Sequence, residues 1–224
     1  MRNFFLLSAT LLLLSIAANA APKSHAIAFG KWTSVKWFVG PDENQESDLK
    51  IRPLLVDARV KEYTTGPSHE VTERYFVTQR AFRINDSLPE EAVAAPKWRW
   101  QRGGWLIVDR ITGRISPVAL PEFDPYTSLA AWYRDYVAYC GISDDAKKTS
   151  AFVVQLGRRK PVLRSFLRNS GASEQTGCPA PQWTRQPAQV SFEAEGSPKI
   201  TYAIRGRAVD LVTESDDDDD EASK

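Results

Sequence analysis

The sequence predicts an all-β protein, arranged as a propeller-like array of about four degenerate blade-like units, with a β-sandwich or a barrel as the alternative. Short runs of β-branched and aromatic residues alternate with polar residues, which is typical of strands with one buried face. Clusters of Asp, Asn and Gly separate these runs and supply turns. No convincing amphipathic helix pattern follows residue 20.

A strand–turn–strand pattern recurs along the chain. The clearest copy is GGWLIVDRITGRISPVAL at residues 103–120, in which a bulky apolar run precedes an Asp-to-Gly turn and a second apolar run. Similar stretches occupy residues 51–60, 151–163 and 200–209, and the four bends centre near positions 58, 112, 158 and 206. These intervals of roughly 46 to 54 residues are typical of propellers and related repeat folds.

Aromatic segments accompany these copies and are predicted to be further strands. They occupy residues 73–84, 131–139 and 190–193, and the first two lead into the turn sequences RIND and GISDD. Asx-rich turns of this kind are typical of places where a strand reverses direction. Each predicted unit therefore combines an aromatic strand with a hairpin.

The sequences ISDD at 142–145 and VDRITG at 108–113 resemble the blade pattern of periplasmic WD-repeat-like β-propellers. In that pattern an aromatic strand ends in S-x-D and is followed by a strand, a D-x-x-T-G bend and another strand. The resemblance covers about half of the chain and implies a propeller. Four blades is the low end for a closed ring, so a distorted small propeller, an open array and a sandwich or barrel all stay open.

The first 20 residues are predicted to be a signal peptide. Arg2 precedes an apolar stretch from Phe4 to Ile16, and small residues at 18–20 follow as a cleavage site. A retained membrane anchor is the alternative. No later segment is long and apolar enough for a membrane helix, so no integral membrane segment is expected after cleavage. We expect a secreted or periplasmic protein with a single all-β domain at residues 21–213.

Cys140 and Cys178 are the only cysteines, and an even count in an exported protein predicts a disulfide. The alternative is a buried Cys140 and a separate exposed Cys178. Their spacing resembles no zinc pattern, and only His25 and His69 could assist, so no metal site and no cofactor are predicted.

Charge is distributed unevenly. Residues 214–224 carry an acidic run and are predicted to be a disordered tail, whereas residues 21–213 carry 27 Lys and Arg against 21 Asp and Glu. Folding back onto the basic body and weak binding of divalent cations are alternatives for the tail. Export argues against a nucleic-acid partner.

Catalytic signatures are missing from the sequence. It contains no G-x-S-x-G, no H-E-x-x-H and no dinucleotide or phosphate-binding glycine motif. A glycosidase needs only two suitably spaced carboxylates, and a turn-forming, solvated or Arg-paired role is the alternative for every candidate. These candidates are Asp109, Asp124, Asp135, Asp144 and Asp145.

The stretch KWRWQRGGW is the strongest binding signal. Trp98 and Trp100 share one face of a predicted strand, Arg99 projects from the other face, and Arg102 follows. Such residues form stacking platforms for sugars or aromatic, Arg-rich protein contacts, and filling of the core is the alternative.

The sequence therefore predicts an exported, non-enzymatic binding or scaffold module that contacts a protein or glycan partner through loops and this aromatic, basic patch. A carbohydrate-active or other hydrolase using loop carboxylates is the alternative. A structural envelope component without a discrete ligand is a third possibility.

Overall fold

The computed structural model describes residues 24–38, 46–87, 96–143, 145, 147–169, 178–194, 198–205 and 208–212. Within these ranges it contains 15 strands in three sheets and no helix, which confirms the all-β class. A propeller-like arrangement is not confirmed. The predicted signal peptide and acidic tail lie outside the described residues. Nothing in the described ranges forms a helix of the length and apolarity that a membrane crossing requires.

The first sheet has seven strands, five of which close into a ring. Strands β2 to β6 pair antiparallel in sequence order, and β6 then pairs with β2 in parallel. The two remaining strands are not part of the ring: β1 pairs antiparallel with β3, and β7 pairs antiparallel with β6. This part of the chain matches the barrel alternative rather than two separate blades. Its strands are β1 (Ile27–Phe29), β2 (Thr33–Phe38), β3 (Glu46–Val56), β4 (Arg59–Glu70), β5 (Tyr75–Asn85), β6 (Trp98–Asp109) and β7 (Ile115–Pro117).

The other two sheets are four-stranded antiparallel meanders with their strands in sequence order, the connectivity of a propeller blade. We call them the middle meander and the C-terminal meander. The middle meander consists of β8 (Ala131–Tyr133), β9 (Tyr136–Ile142), β10 (Lys148–Gln155) and β11 (Leu163–Asn169). The C-terminal meander consists of β12 (Gln182–Thr184), β13 (Gln189–Phe192), β14 (Ile200–Arg205) and β15 (Ala208–Val212).

Three of the four predicted bends coincide with connections between paired strands: β3 to β4, β6 to β7 and β10 to β11. The centre of the fourth, at residues 206–207, lies outside the described residues, between the paired strands β14 and β15. At the first bend, Asp57 and Ala58 both have positive φ, at 51° and 62°, as the two central residues of a type I′ hairpin turn require. Gly113 and Gly157 have φ of 65° and 79° at the second and third bends. Glycine adopts this backbone conformation without a steric cost, which explains its place in both turns.

The aromatic strands are confirmed at two positions and corrected at one. β5 covers most of residues 73–84, and β13 (Gln189–Phe192) covers residues 190–192 of the predicted segment 190–193. Residues 131–139 are a hairpin rather than a single strand, because Arg134 takes a φ of 53° and starts a reversal between β8 and β9. Positive φ is rare for arginine, and the alternation of aromatic and polar residues continues through this position. The sequence therefore gives no signal of the turn.

The cysteine pair lies in the core that the two meanders share. Cys140 is in β9, Cys178 precedes β12, and their sulfurs are at disulfide-bonding distance, with Cα atoms 6.0 Å apart. Buried residues from both meanders, among them Val153, Val190 and Phe192, pack in the same cluster. The predicted cross-link therefore joins β9 to the segment before β12, within the hydrophobic core that the two meanders share.

The turn after β6 is organised by one carboxylate. Asp109 accepts hydrogen bonds from Nε and Nη2 of Arg74, at 2.9 and 2.6 Å, and from the backbone N–H of Ile111 at 2.9 Å. The paired guanidinium favours the ionised carboxylate, and it holds the pKa of Asp109 well below the usual range.

This interaction predicts a loss of stability in acid. The pKa of Asp109 is lower in the folded chain than in the unfolded chain, where an Asp carboxyl has a pKa of about 3.9. Its contribution is therefore complete above that pH and is lost as the pH falls further. Urea unfolding between pH 2 and pH 6 should show a shallower acid loss for Asp109→Asn than for wild type. Arg74→Met should flatten the profile in the same way, and an unchanged slope in both variants would contradict the assignment.

Candidate functional site

The candidate site is built on paired strands at one end of the ring. In the β5–β6 pairing Arg83 lies opposite Trp100, and Asn85 lies opposite Trp98. Directly opposed residues share a face, and so do residues two apart on one strand. Arg83, Trp98 and Trp100 therefore project from the same face of the sheet.

The Arg83 guanidinium stacks over both indole rings, so the three side chains form one cation–π stack. The Arg83 guanidinium carbon is 5.6 Å from the ring centroid of Trp98 and 5.4 Å from that of Trp100. Trp98 is 57% exposed, whereas Trp100 is half-buried and packs edge-on against Tyr63, with centroids 5.1 Å apart. We call Arg83, Trp98, Trp100 and Tyr63 the arginine–tryptophan surface.

The charge of Arg83 is not neutralised within this surface. Its side chain is exposed, and no carboxylate in the described ranges forms an ion pair with it. Cation–π contacts orient the guanidinium without using its hydrogen-bond donors. The surface can therefore offer a partner both an apolar indole face and a planar set of N–H donors.

The two other predicted site residues lie apart from this stack. Arg99 projects from the opposite face of β6, and its Nε is 2.7 Å from the carboxylate of Asp86. Arg102 packs over Trp37, with its guanidinium carbon 5.3 Å from the ring, and donates to Gln79 Oε1 at 3.3 Å. Burial lowers the pKa of Arg102. The structure brings Trp98 and Trp100 together but gives Arg99 and Arg102 other partners.

Sequence reasoning missed Arg83, the cation that completes the surface. Arg83 is 15 positions before Trp98, in a stretch that was interpreted only as a strand. The missing information is the β5–β6 register, since a shift by one residue would turn Arg83 to the other face.

Core filling is the correct interpretation for several other tryptophans. Trp37 and Trp105 are 5% and 8% exposed. Trp105 meets Trp132 of the middle meander edge-on at 5.2 Å, and Trp132 stacks on His69 at 5.8 Å. These contacts pack the ring against the middle meander, so these tryptophans stabilise the fold and do not form a binding surface.

The predicted carboxylates accept hydrogen bonds from groups close to them. Each of the four that the structure describes is bonded within its own turn or to a neighbouring side chain: Asp109, Asp124, Asp135 and Asp145. Hydrogen bonding lowers the pKa of Asp109 and of Asp145, whereas a general acid needs a raised pKa. Asp144 lies outside the described residues. Across the described ranges, no three His, Cys, Asp or Glu side chains gather as a metal site would require.

The two histidines also have structural partners. His25 Nδ1 is 2.7 Å from a carboxylate oxygen of Asp57, and no hydroxyl or thiol of a described residue is hydrogen-bonded to its other ring nitrogen. His69 Nε2 donates to the backbone carbonyl of Arg134 at 2.8 Å, in the turn between β8 and β9. Neither histidine is therefore arranged as the base of a nucleophile.

Comparisons of the chain with protein-family models, with curated proteins and with solved structures found no match. What the site does must therefore follow from its own geometry.

Proposed function

We propose that this protein is an exported, non-enzymatic binding module that contacts a protein or glycan partner through the arginine–tryptophan surface. The supporting observation is the Arg83 guanidinium, which stacks over the indoles of both Trp98 and Trp100 and forms no ion pair with a carboxylate of the described residues. The proposal needs no cofactor and no nucleic acid.

Physical chemistry favours a partner at this position. The 57% exposed indole of Trp98 presents a large apolar face to water, and covering that face is favourable. Tryptophan and arginine are the residue types that most often dominate binding energy at interfaces, because they combine apolar area with directional donors. Arg83 can donate to carboxylate, carbonyl or hydroxyl oxygens, which both proteins and glycans supply.

The proposal includes a secreted or periplasmic location. Its support is the Cys140–Cys178 pair at bonding distance together with the signal-like first 20 residues. Disulfides persist in oxidising compartments, where an envelope or extracellular partner would be met.

The test uses the full-length exported protein immobilised on a resin and incubated with the envelope fraction of the producing cells. Trp98→Ala and Arg83→Ala should each reduce the recovery of a specific glycan or protein by about tenfold, because each removes one member of the stack. Phe166→Ala is the matched control, since Phe166 is an equally exposed aromatic, at 54%, on β11 of the middle meander.

Equal recovery with wild type and Trp98→Ala would contradict the proposal. An equal loss with Phe166→Ala would also contradict it, because that result would indicate general adhesion of exposed aromatics. Far-UV circular dichroism of each variant checks that the fold is retained.

A further inference from the structure

A second groove lies on the ring, lined by residues other than those of the arginine–tryptophan surface. It is open to solvent and has a volume of about 700 Å³, within the range of small-molecule sites. The start of β2, the middle of β3 and the irregular part of β4 form it. Its lining residues are Trp32, Thr33, Ser34, Lys50, Thr65, Gly66 and Pro67.

An irregularity in β4 opens this groove. Thr65 pairs with Gln79 and His69 pairs with Val77, so residues 66–68 oppose a single residue of β5. Gly66 has a φ of 66°, and a Cβ added there would meet no atom within 4 Å. The extra residues are not paired in the β4–β5 ladder, and the space beside Gly66 is open.

Trp32 forms the aromatic wall of the groove, and the guanidinium of Arg52 packs on its indole. The guanidinium carbon of Arg52 is 4.4 Å from the Trp32 ring centroid and 3.7 Å from that of Phe29. Arg52 thus fills one face of the indole and leaves the other face for a ligand. Trp32 is 46% exposed, so this aromatic face is accessible.

The polar groups of the groove comprise hydroxyls and one cation. Lys50 is exposed and forms no ion pair with a described carboxylate, and its strand partner Ser34 contributes a hydroxyl. Thr65 is buried, and its Oγ1 donates its proton to the Lys50 carbonyl at 2.9 Å, so the exposed hydroxyls of the groove are those of Thr33 and Ser34. A ligand that satisfies the groove needs one flat C–H face, several hydroxyls and one negative charge.

We propose that this groove binds an acidic sugar, a pyranose of the hexuronate class within a polysaccharide. Its C–H face packs on Trp32, its hydroxyls meet Thr33 and Ser34, and its carboxylate lies at the Lys50 ammonium. The site is independent of the proposed function, because no residue of the arginine–tryptophan surface lines the groove.

The test is calorimetric titration of the full chain with an oligogalacturonate of four sugar residues at low salt. Its fully methyl-esterified form is the matched ligand, since esterification removes the charge and keeps the rings. Wild type should prefer the acid by about tenfold, and this preference should shrink as salt rises, since ions screen an exposed pair. Trp32→Ala should weaken binding of both forms by about tenfold, because both use the stacking face.

Lys50→Met isolates the charge, since it keeps most of the aliphatic stem. It should abolish the preference for the acid while leaving the affinity for the ester unchanged. Phe166→Ala is the control for an exposed aromatic outside both the groove and the arginine–tryptophan surface, and it should bind both forms as wild type does. The proposal is overturned if wild type binds neither form, if Trp32→Ala binds like wild type, or if Phe166→Ala loses as much affinity as Trp32→Ala.

Discussion

Replacing Cys140 and Cys178 together with alanine is expected to lower the free energy of unfolding by about 4 kcal/mol. The two cysteines are 38 positions apart and join β9 to the segment before β12. Without the cross-link, the unfolded chain gains the freedom of a loop of that length, and this gain favours unfolding. Urea unfolding followed by tryptophan fluorescence measures the change, which is a large fraction of the stability of an ordinary domain.

Wild type treated with reductant is the control for this double variant. Its unfolding midpoint should fall to nearly that of the variant, because both lack the same covalent bond. The variant itself should not respond to reductant. A variant that unfolds at the midpoint of oxidised wild type would show that the cross-link does not stabilise the two meanders.

Phe152→Ala is expected to destabilise the protein by about 3–5 kcal/mol, the range for removing a fully buried aromatic ring. Phe152 is 1% exposed in β10 and stacks on Tyr139 of β9, with centroids 5.3 Å apart and planes 6° from parallel. The packing around it is tight, since a Cβ added at Gly141 would lie 2.6 Å from Phe152 Cε2. Surrounding atoms cannot fill the vacated space without backbone movement, so a cavity remains.

Phe166→Ala is the matched control in the neighbouring strand β11. The substitution is chemically identical, but Phe166 is 54% exposed, so the unfolding free energy should change by at most about 0.5 kcal/mol. Similar losses in the two variants would contradict the assignment of Phe152 to the core of the middle meander.

Local features of this fold were predictable from sequence because they are encoded within a few residues. The turns at Asp57, Gly113 and Gly157 use residue types suited to positive φ, and the flanking alternation marks the strands. The same local signals predicted that the chain is all-β. They did not reveal the hairpin at Arg134, where an ordinary residue takes the unusual conformation.

Long-range pairing was not predictable in the same way. The ring closes because β2 meets β6 in parallel, with Trp37 beside Trp100, and no repeat pattern specifies that contact. The site shows the same limit. Trp98 and Trp100 were identified because they are two positions apart, whereas Arg83 joins them only through the register of the β5–β6 hairpin.

The parallel closure of the ring links partner recognition to the integrity of the fold. Among the described residues, β2 and β6 are paired at one position, Trp37 with Trp100, whereas β5 and β6 are paired along most of their length. Trp100 belongs both to this β2–β6 seam and to the arginine–tryptophan surface. A partner bound on Trp98 and Trp100 would therefore contact one side of the seam that closes the ring. Because binding stabilises the state that binds, occupancy should also raise the free energy needed to open that seam.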